Sequence, residues 1–128
     1  EQMEDVNYGF WLAKEMGKVD VGQSVVIKDK MAMAVEAIEG TDMCIKRGAK
    51  LAKHNASVIK VSKPKQDKRF DIPAVGLRTL RTMKRYKASL LAVEAILAIE
   101  ANETIIVDQE KVIKFADDNN IVLMAVSL

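Results

Sequence analysis

Apolar residues near the start of the chain recur every three or four positions, which is the spacing of one face of an α-helix. Over residues 5–17 this face consists of Val6, Phe10, Ala13 and Met16. The pattern then changes to two runs of β-forming residues, 24–27 and 31–35, joined by the polar residues 28–30. Two such runs with a short polar joint predict a β-hairpin.

A helix is expected to follow the hairpin. Thr41 is a suitable N-cap residue, and Asp42 suits the positive end of the helix dipole. Ile45 and Ala49 lie four positions apart and mark the apolar face of this helix. Residues 57–61 come next and predict a strand, because they are rich in β-branched side chains.

The second half of the chain predicts two further helices and a closing strand. Leu77, Leu80 and Met83 share one helical face. Four basic residues lie on the wetter side of the same helix: Arg78, Arg81, Lys84 and Arg85. Asp108 is a suitable cap for a later helix, and residues 121–126 predict the closing strand.

Between these two helices stand two near copies of one pentapeptide, LAVEA at residues 91–95 and LAIEA at residues 97–101. Their Ala, Leu and Glu content favours helix, whereas the β-branched residues 105–107 favour a hairpin with the second copy. We expect the second copy to be a strand and leave the conformation of the first open. A hairpin–helix–strand order then occurs twice, at residues 24–61 and 97–126, through an old duplication or a chance similarity of short strands.

This order of elements predicts an α/β fold, with a mixed β-sheet and flanking helices. With 128 residues, of which 49% are apolar, the chain has the size of one compact domain. No apolar run reaches the roughly 20 residues that cross a bilayer. The single cysteine, Cys44, excludes an internal disulfide, favours a reducing, cytosolic setting, and is interpreted as a packing residue.

The charged residues are unevenly distributed along the chain. The formal net charge is +2, yet residues 60–87 contain ten Lys or Arg and two Asp, a local charge of +8, so the remainder carries −6. A basic segment with two isolated aspartates is the first indication of function. It favours an anionic ligand, because Lys and Arg bind phosphate and carboxylate oxygens.

The turn at residues 36–42 is one candidate site. A predicted strand ends there and runs into a helix N-terminus, where free backbone N–H groups favour an anion such as phosphate. Gly40 would let a ligand approach the backbone closely. Ordinary helix capping by Thr41, with solvated glutamates, is the alternative that the residues alone favour.

Residues 63–73 are a second candidate, because their lysines and Arg69 suit phosphate oxygens. Asp67 and Asp71 suit Mg²⁺, or one of them an attacking water. The alternative is a charged loop in solvent, although Phe70 and the two prolines favour a loop held in one shape. A third candidate is the basic face of residues 77–87, for anionic lipid, nucleotide or nucleic acid, although a solvated helix face is the interpretation that we favour.

Three motifs carry a family resemblance. They are VGQSVVIK at residues 21–28, AVEAIEGTD at 34–42 and KPxQDxRFDxPxVG at 63–76. In this order and spacing they resemble the C-terminal domain of the LpxI family, the UDP-2,3-diacylglucosamine pyrophosphatases of lipid A synthesis. The resemblance extends from about residue 5 to residue 126, and the two longer motifs are specific.

The resemblance implies a Mg²⁺-dependent hydrolase of Gram-negative bacteria that cleaves UDP-2,3-diacylglucosamine into UMP and 2,3-diacylglucosamine 1-phosphate. It also implies that residues 1–128 form one domain of a two-domain enzyme. The substrate would lie between the domains, the N-terminal domain would be absent from this chain, and the isolated fragment would be inactive. The chain begins with Glu1, without an initiator Met, which agrees with a fragment.

The resemblance also assigns site residues. It gives the catalytic role to Asp67 and Asp71, whose individual tasks it does not separate. The implied substrate-binding residues are Gly40, Thr41, Lys63, Gln66 and Arg69, and the implied Mg²⁺ ligands are Glu39, Asp42, Asp67 and Asp71, with Glu36 as a further candidate near the metal. The tandem pentapeptide leaves two candidates for a family glutamate, Glu94 and Glu100, and we prefer Glu100 because Asn102 then supplies a turn.

The expected partner is a small, lipid-linked UDP-sugar, and no nucleic acid is expected. We expect a cytoplasmic homo-oligomer that contacts the cytoplasmic face of the inner membrane. The alternative function is a non-catalytic module that binds anions or nucleic acid through residues 60–87, and it predicts salt-sensitive binding without a metal. A purely structural oligomerisation domain is a third hypothesis.

Overall fold

The computed structural model describes the backbone of residues 2–61, 63–64, 70–71, 76–95 and 109–127, and the side chains of residues 2–61, 76–92 and 110–124. The helices are α1 (Gln2–Lys18), α2 (Thr41–Ala52), α3 (Leu77–Arg85) and α4 (Gln109–Asp118). The strands are β1 (Ser24–Lys28), β2 (Met31–Val35), β3 (Ala56–Lys60), β4 (Lys63–Pro64), β5 (Phe70–Asp71), β6 (Ala88–Ala95) and β7 (Val122–Ser127).

Five strands form one mixed sheet in the order β2-β1-β3-β6-β7. β1 is antiparallel to both β2 and β3, whereas β3, β6 and β7 run parallel to one another. The turn of the β1–β2 hairpin consists of Asp29 and Lys30, both at positive φ (52° and 60°). Two such central residues match the twist of the flanking strands, so the predicted hairpin and the predicted mixed sheet are confirmed.

The helices cover both faces of the sheet. Val25 and Ile27 of β1 point to the face that α1 covers, where they pack with Val6 and Ala13. The intervening Val26 points to the other face, which α2, α3 and α4 cover. This alternation follows from the two-residue period of a strand, and it produces a helix–sheet–helix arrangement with a core on each face.

Polar contacts fix α1 to the strands beneath it. The side-chain amide of Gln2 donates to Ser57 Oγ at 3.3 Å and to Ser89 Oγ at 3.1 Å. The buried carboxylate of Asp5 accepts a 2.7 Å hydrogen bond from the backbone N–H of Lys30. The first two turns of α1 are therefore tied to β3, β6 and the hairpin turn.

The structure corrects the predicted cap of α2. The N-cap is Gly40, at φ 88° and ψ 168°, and no side chain caps the helix. Thr41 is instead the first helical residue, because Gly40 adopts a backbone conformation that is almost restricted to glycine and the chain turns one residue earlier than predicted. The predicted N-cap role of Thr41 is wrong.

The structure also answers part of the question about the tandem pentapeptide. Its first copy, residues 91–95, lies in β6, between β3 and β7. The second copy, its predicted hairpin partner and Asp108 lie outside the described residues, so the second repeat unit stays a prediction. Within the described ranges, no helix has both the length and the apolar character needed to cross a membrane.

Candidate functional site

The two candidate segments emerge from the same edge of the sheet. The parallel strands β3, β6 and β7 end at this edge, and Ser24 at the start of β1 pairs there with Lys60. β2 also ends there, because Val35 pairs with Val25. Consequently the 36–40 turn, which follows β2, and the basic segment that follows β3 both start at the edge where open α/β sheets bind ligands.

The part of the basic segment that starts at the end of β3, residues 60–71, contains a short two-stranded ladder. Lys63 of β4 pairs with Asp71 of β5, and Pro64 pairs with Phe70. Two predicted site residues, Lys63 and Asp71, therefore have their backbones side by side. Gln66, Asp67 and Arg69 lie outside the described residues, and their roles stay predictions.

Two glycines shape the 36–40 turn. Gly40 occupies its glycine-specific conformation, and no heavy atom of the described residues lies within 4 Å of the position that a Cβ would take there, so these residues leave space for a ligand beside it. Gly22 faces the start of the turn, where an added Cβ would overlap the carbonyl oxygen of Glu36. Gly22 therefore allows the connection before β1 to approach the turn closely.

Hydroxyl groups join the turn to β1. The Thr41 hydroxyl donates to Glu36 Oε1 at 3.3 Å, and its Oγ1 lies 3.4 Å from Ser24 Oγ. The backbone N–H of Glu36 donates to the Ser24 carbonyl at 2.9 Å. The sequence did not predict a role for Ser24, since an ordinary strand residue gives no signal of this contact.

Glu39 holds the turn through both carboxylate oxygens. Its Oε1 accepts the backbone N–H of Ala37 at 2.7 Å, and its Oε2 accepts Arg47 Nη2 at 3.0 Å. The Ala37 N–H, followed by Arg47, lowers the pKa of this carboxyl below its usual value. Arg47 also donates to the Val35 carbonyl at 3.0 Å, which joins α2 to the end of β2.

Asp42 joins the first turns of two helices. Its Oδ2 lies 2.8 Å from Arg78 Nε at the start of α3. Its Oδ1 is buried and has no hydrogen-bond partner among the described residues. A buried carboxylate oxygen without a partner is costly, and it is also the type of ligand that Mg²⁺ prefers.

The structure describes the side chains of two of the four predicted metal ligands. Glu39 and Asp42 lie at the same turn, and the side chains of Asp67 and Asp71 lie outside the described part of the molecule. Among the described residues, no group of three or more Asp, Glu, His or Cys side chains is arranged so that it could hold a metal ion. The donor chemistry of Asp42 fits a Mg²⁺ site, whereas the two engaged oxygens of Glu39 fit one less well.

Cys44 lies in α2 close to this turn but inside the core. Its side chain is fully buried, and burial raises the pKa of the thiol to about 12. A thiol with this pKa carries almost no thiolate at neutral pH, so it is a poor nucleophile. The interpretation of Cys44 as a packing residue is confirmed.

Together, these features define an α/β domain in which the turn before α2 and a basic segment after β3 start from the same edge of the sheet. Residues 1–124 match the family model described as the LpxI C-terminal domain. The chain therefore belongs to the LpxI family, and the resemblance of its three motifs is confirmed.

A curated relative supports the same assignment. The chain is 34% identical over 134 aligned positions to the UDP-2,3-diacylglucosamine pyrophosphatase LpxI of Caulobacter vibrioides. The alignment covers 98% of this chain and 46% of the relative. The chain thus spans about half the length of the curated relative that it matches.

Proposed function

We propose that the protein hydrolyses the pyrophosphate bond of UDP-2,3-diacylglucosamine to UMP and 2,3-diacylglucosamine 1-phosphate, in lipid A biosynthesis and with Mg²⁺. Membership of the LpxI family and the name of the Caulobacter relative support this proposal. The observation that carries it is the common edge of the sheet, from which both the 36–40 turn and the basic segment emerge. This edge offers groups for binding phosphate next to carboxylates.

The charges at the turn explain why both segments are needed. Glu36, Glu39 and Asp42 bring three carboxylates, whereas Arg47 and Arg78 bring two positive charges. A pyrophosphate bound there requires further positive charge. Residues 60–71 carry five Lys or Arg, and their segment follows β3 at the same edge, so it is the source that we propose.

The residues of the chain then have distinct tasks. The first N–H groups of α2 have no intrahelical acceptor and bind a phosphate oxygen, while the open space beside Gly40 admits the ligand. Lys63, Gln66 and Arg69 bind further oxygens. A water oxygen attacks one phosphorus, the bond from that phosphorus to the bridging oxygen breaks, and Asp67 or Asp71 accepts the proton of the water.

Mg²⁺ would neutralise charge on the phosphoryl oxygens. Asp67, Asp71 and Asp42 are the proposed ligands. The unpartnered Oδ1 of Asp42 supports its inclusion. Glu39 remains the weaker candidate, because Ala37 and Arg47 already occupy both of its oxygens.

Release of UMP by the full-length protein tests this function. The Asp67→Asn and Asp71→Asn variants should each lose about 100-fold or more in kcat, the range for removal of an acid–base group, and chelation of Mg²⁺ should abolish the activity of the parent. Asp117→Asn, an exposed position on α4, is the matched control and should retain activity. Parent-like rates in both site variants would contradict the proposed roles.

A further inference from the structure

An exposed basic surface extends along two adjacent helices, α2 and α3. We call it the α2–α3 basic face and define it by Lys46, Lys50, Arg81, Lys84 and Arg85. Lys46 is half-buried, and the other four are exposed. None of the five forms an ion pair with a carboxylate in the part of the chain that the structure describes. Unlike Arg47 and Arg78, these cations have no carboxylate beside them there that would neutralise their charge.

Apolar side chains are exposed on the same helix α2. Met43 is 53% exposed and Leu51 is 62% exposed, and they lie on either side of Lys46 and Lys50 in the sequence. Transfer of a large apolar side chain from water to the acyl boundary of a bilayer lowers the free energy. Cations and apolar residues on one helix surface are the combination that binds anionic membranes.

The basic face begins at the candidate site. Asp42 and Arg78 lie in the first turns of α2 and α3 and contact each other at 2.8 Å, so both helices start at the edge of the sheet where the substrate is proposed to bind. The face therefore continues from the substrate site along the outer surface of the domain. Lys50, Lys84 and Arg85 lie in the last turns of the two helices, at the far end of the face from this edge.

We propose that the α2–α3 basic face docks the protein onto an anionic lipid bilayer. The proposal rests on the proposed function in one respect, because a substrate with two acyl chains must be taken from a bilayer. Docking through this face would bring the site edge to the membrane surface. It requires no membrane-spanning helix.

The aromatic residues of the face favour lipid over nucleic acid. Binding of single-stranded nucleic acid uses free aromatic rings on which bases stack. The ring of Tyr86 is instead contacted by Lys46, Lys50 and Arg85, whose charged groups lie 5.8 to 6.0 Å from its centroid. The nearby ring of Phe115 has Lys84 at 5.9 Å. These rings hold cations and do not offer a stacking platform.

Sedimentation of the full-length protein with lipid vesicles tests the proposal. We expect binding to vesicles that contain phosphatidylglycerol and no binding to vesicles of phosphatidylcholine alone. The double variant Lys50→Gln/Arg85→Gln should bind about 30-fold more weakly, since each Lys or Arg near an anionic surface contributes about fivefold. Both side chains are exposed, so the fold should be retained.

The matched control is Lys18→Gln/Lys28→Gln, which changes the net charge equally at positions outside the face. It should bind like the parent. Equal binding by the parent and the Lys50/Arg85 variant, or equal weakening in both variants, would overturn the proposal. Tighter binding of a short single-stranded oligonucleotide than of the anionic vesicles, lost in the same variant, would assign the face to nucleic acid and also overturn it.

Hydrolysis of the substrate in detergent micelles separates this inference from the proposed function. Normal micellar activity of the Lys50/Arg85 variant, with reduced activity on substrate in vesicles, is the result expected if both proposals hold. Absence of activity in micelles for the parent protein would contradict the proposed function, while vesicle sedimentation would still report on docking. Equal activity of parent and variant on vesicles would contradict the docking role.

Discussion

Replacing Gly40 by alanine should destabilise the domain by about 1–2 kcal/mol. The φ of 88° and ψ of 168° lie in a region that is almost restricted to glycine, and a side chain there costs about 1–3 kcal/mol. An alanine also reduces the conformational entropy of the unfolded chain, which offsets about 0.4–1 kcal/mol. Within the part of the chain that the structure describes, no heavy atom lies within 4 Å of the new Cβ, so we assign the cost to the backbone torsions.

Urea unfolding followed by circular dichroism measures this effect. With a slope of about 2 kcal/mol per molar, typical of small proteins, the midpoint should fall by about 0.5–1 M at unchanged slope. Ile38→Ala is the control in the same turn, because its side chain is fully exposed and a surface substitution changes stability by less than about 0.5 kcal/mol. A Gly40→Ala midpoint equal to that of the parent would refute the conformation assigned to this turn.

Two further predictions concern Asp42 and Cys44. Asp42→Asn should change the stability by less than about 1 kcal/mol, because its partner Arg78 is 89% exposed, but it should raise the Mg²⁺ concentration needed for half-maximal UMP release. Arg78→Gln removes the same ion pair and should leave that concentration unchanged, and equal effects in both variants would contradict Asp42 as a ligand. Cys44 should resist iodoacetamide in the native protein and react in urea, whereas rapid native labelling would contradict its burial. Since folding raises its pKa from 9.0 to about 12, its contribution to stability is complete below pH 9 and is lost as the pH rises toward 12, which unfolding at increasing pH measures.

Much of the fold follows from local periodicity. Val6, Phe10 and Ala13 marked α1 through helical spacing, and the hairpin followed from two β-rich runs around a polar joint. β6 was harder, because residues 91–95 favour helix by composition. The structure places Leu91 and Ala92 in a parallel strand covered by helices on both faces, and such strands are continuous apolar runs without the alternation that marks an exposed strand.

The site was predictable only in outline. The sequence indicates the 36–42 and 63–73 segments, but only the topology of the sheet shows that both start at one edge. The pairs Glu39–Arg47 and Asp42–Arg78 depend on how α2 packs on β2 and α3, so no spacing in the sequence indicates them. The N-cap was misassigned because Thr41 has a good capping side chain, while the unusual φ of Gly40 has no signal beyond the presence of a glycine.

The order of strands in the sheet has a consequence for how the protein is made. β1 and β2 form a local hairpin. The later strands of this sheet are then added in chain order on the β1 side of the hairpin: β3 pairs with β1, β6 with β3, and β7 with β6. Among the strands that the structure describes, no late strand has to be inserted between two that are already paired. The sheet can therefore grow strand by strand in the order in which the ribosome releases the chain. At each stage, the newest strand of the sheet is the one with which the next strand pairs.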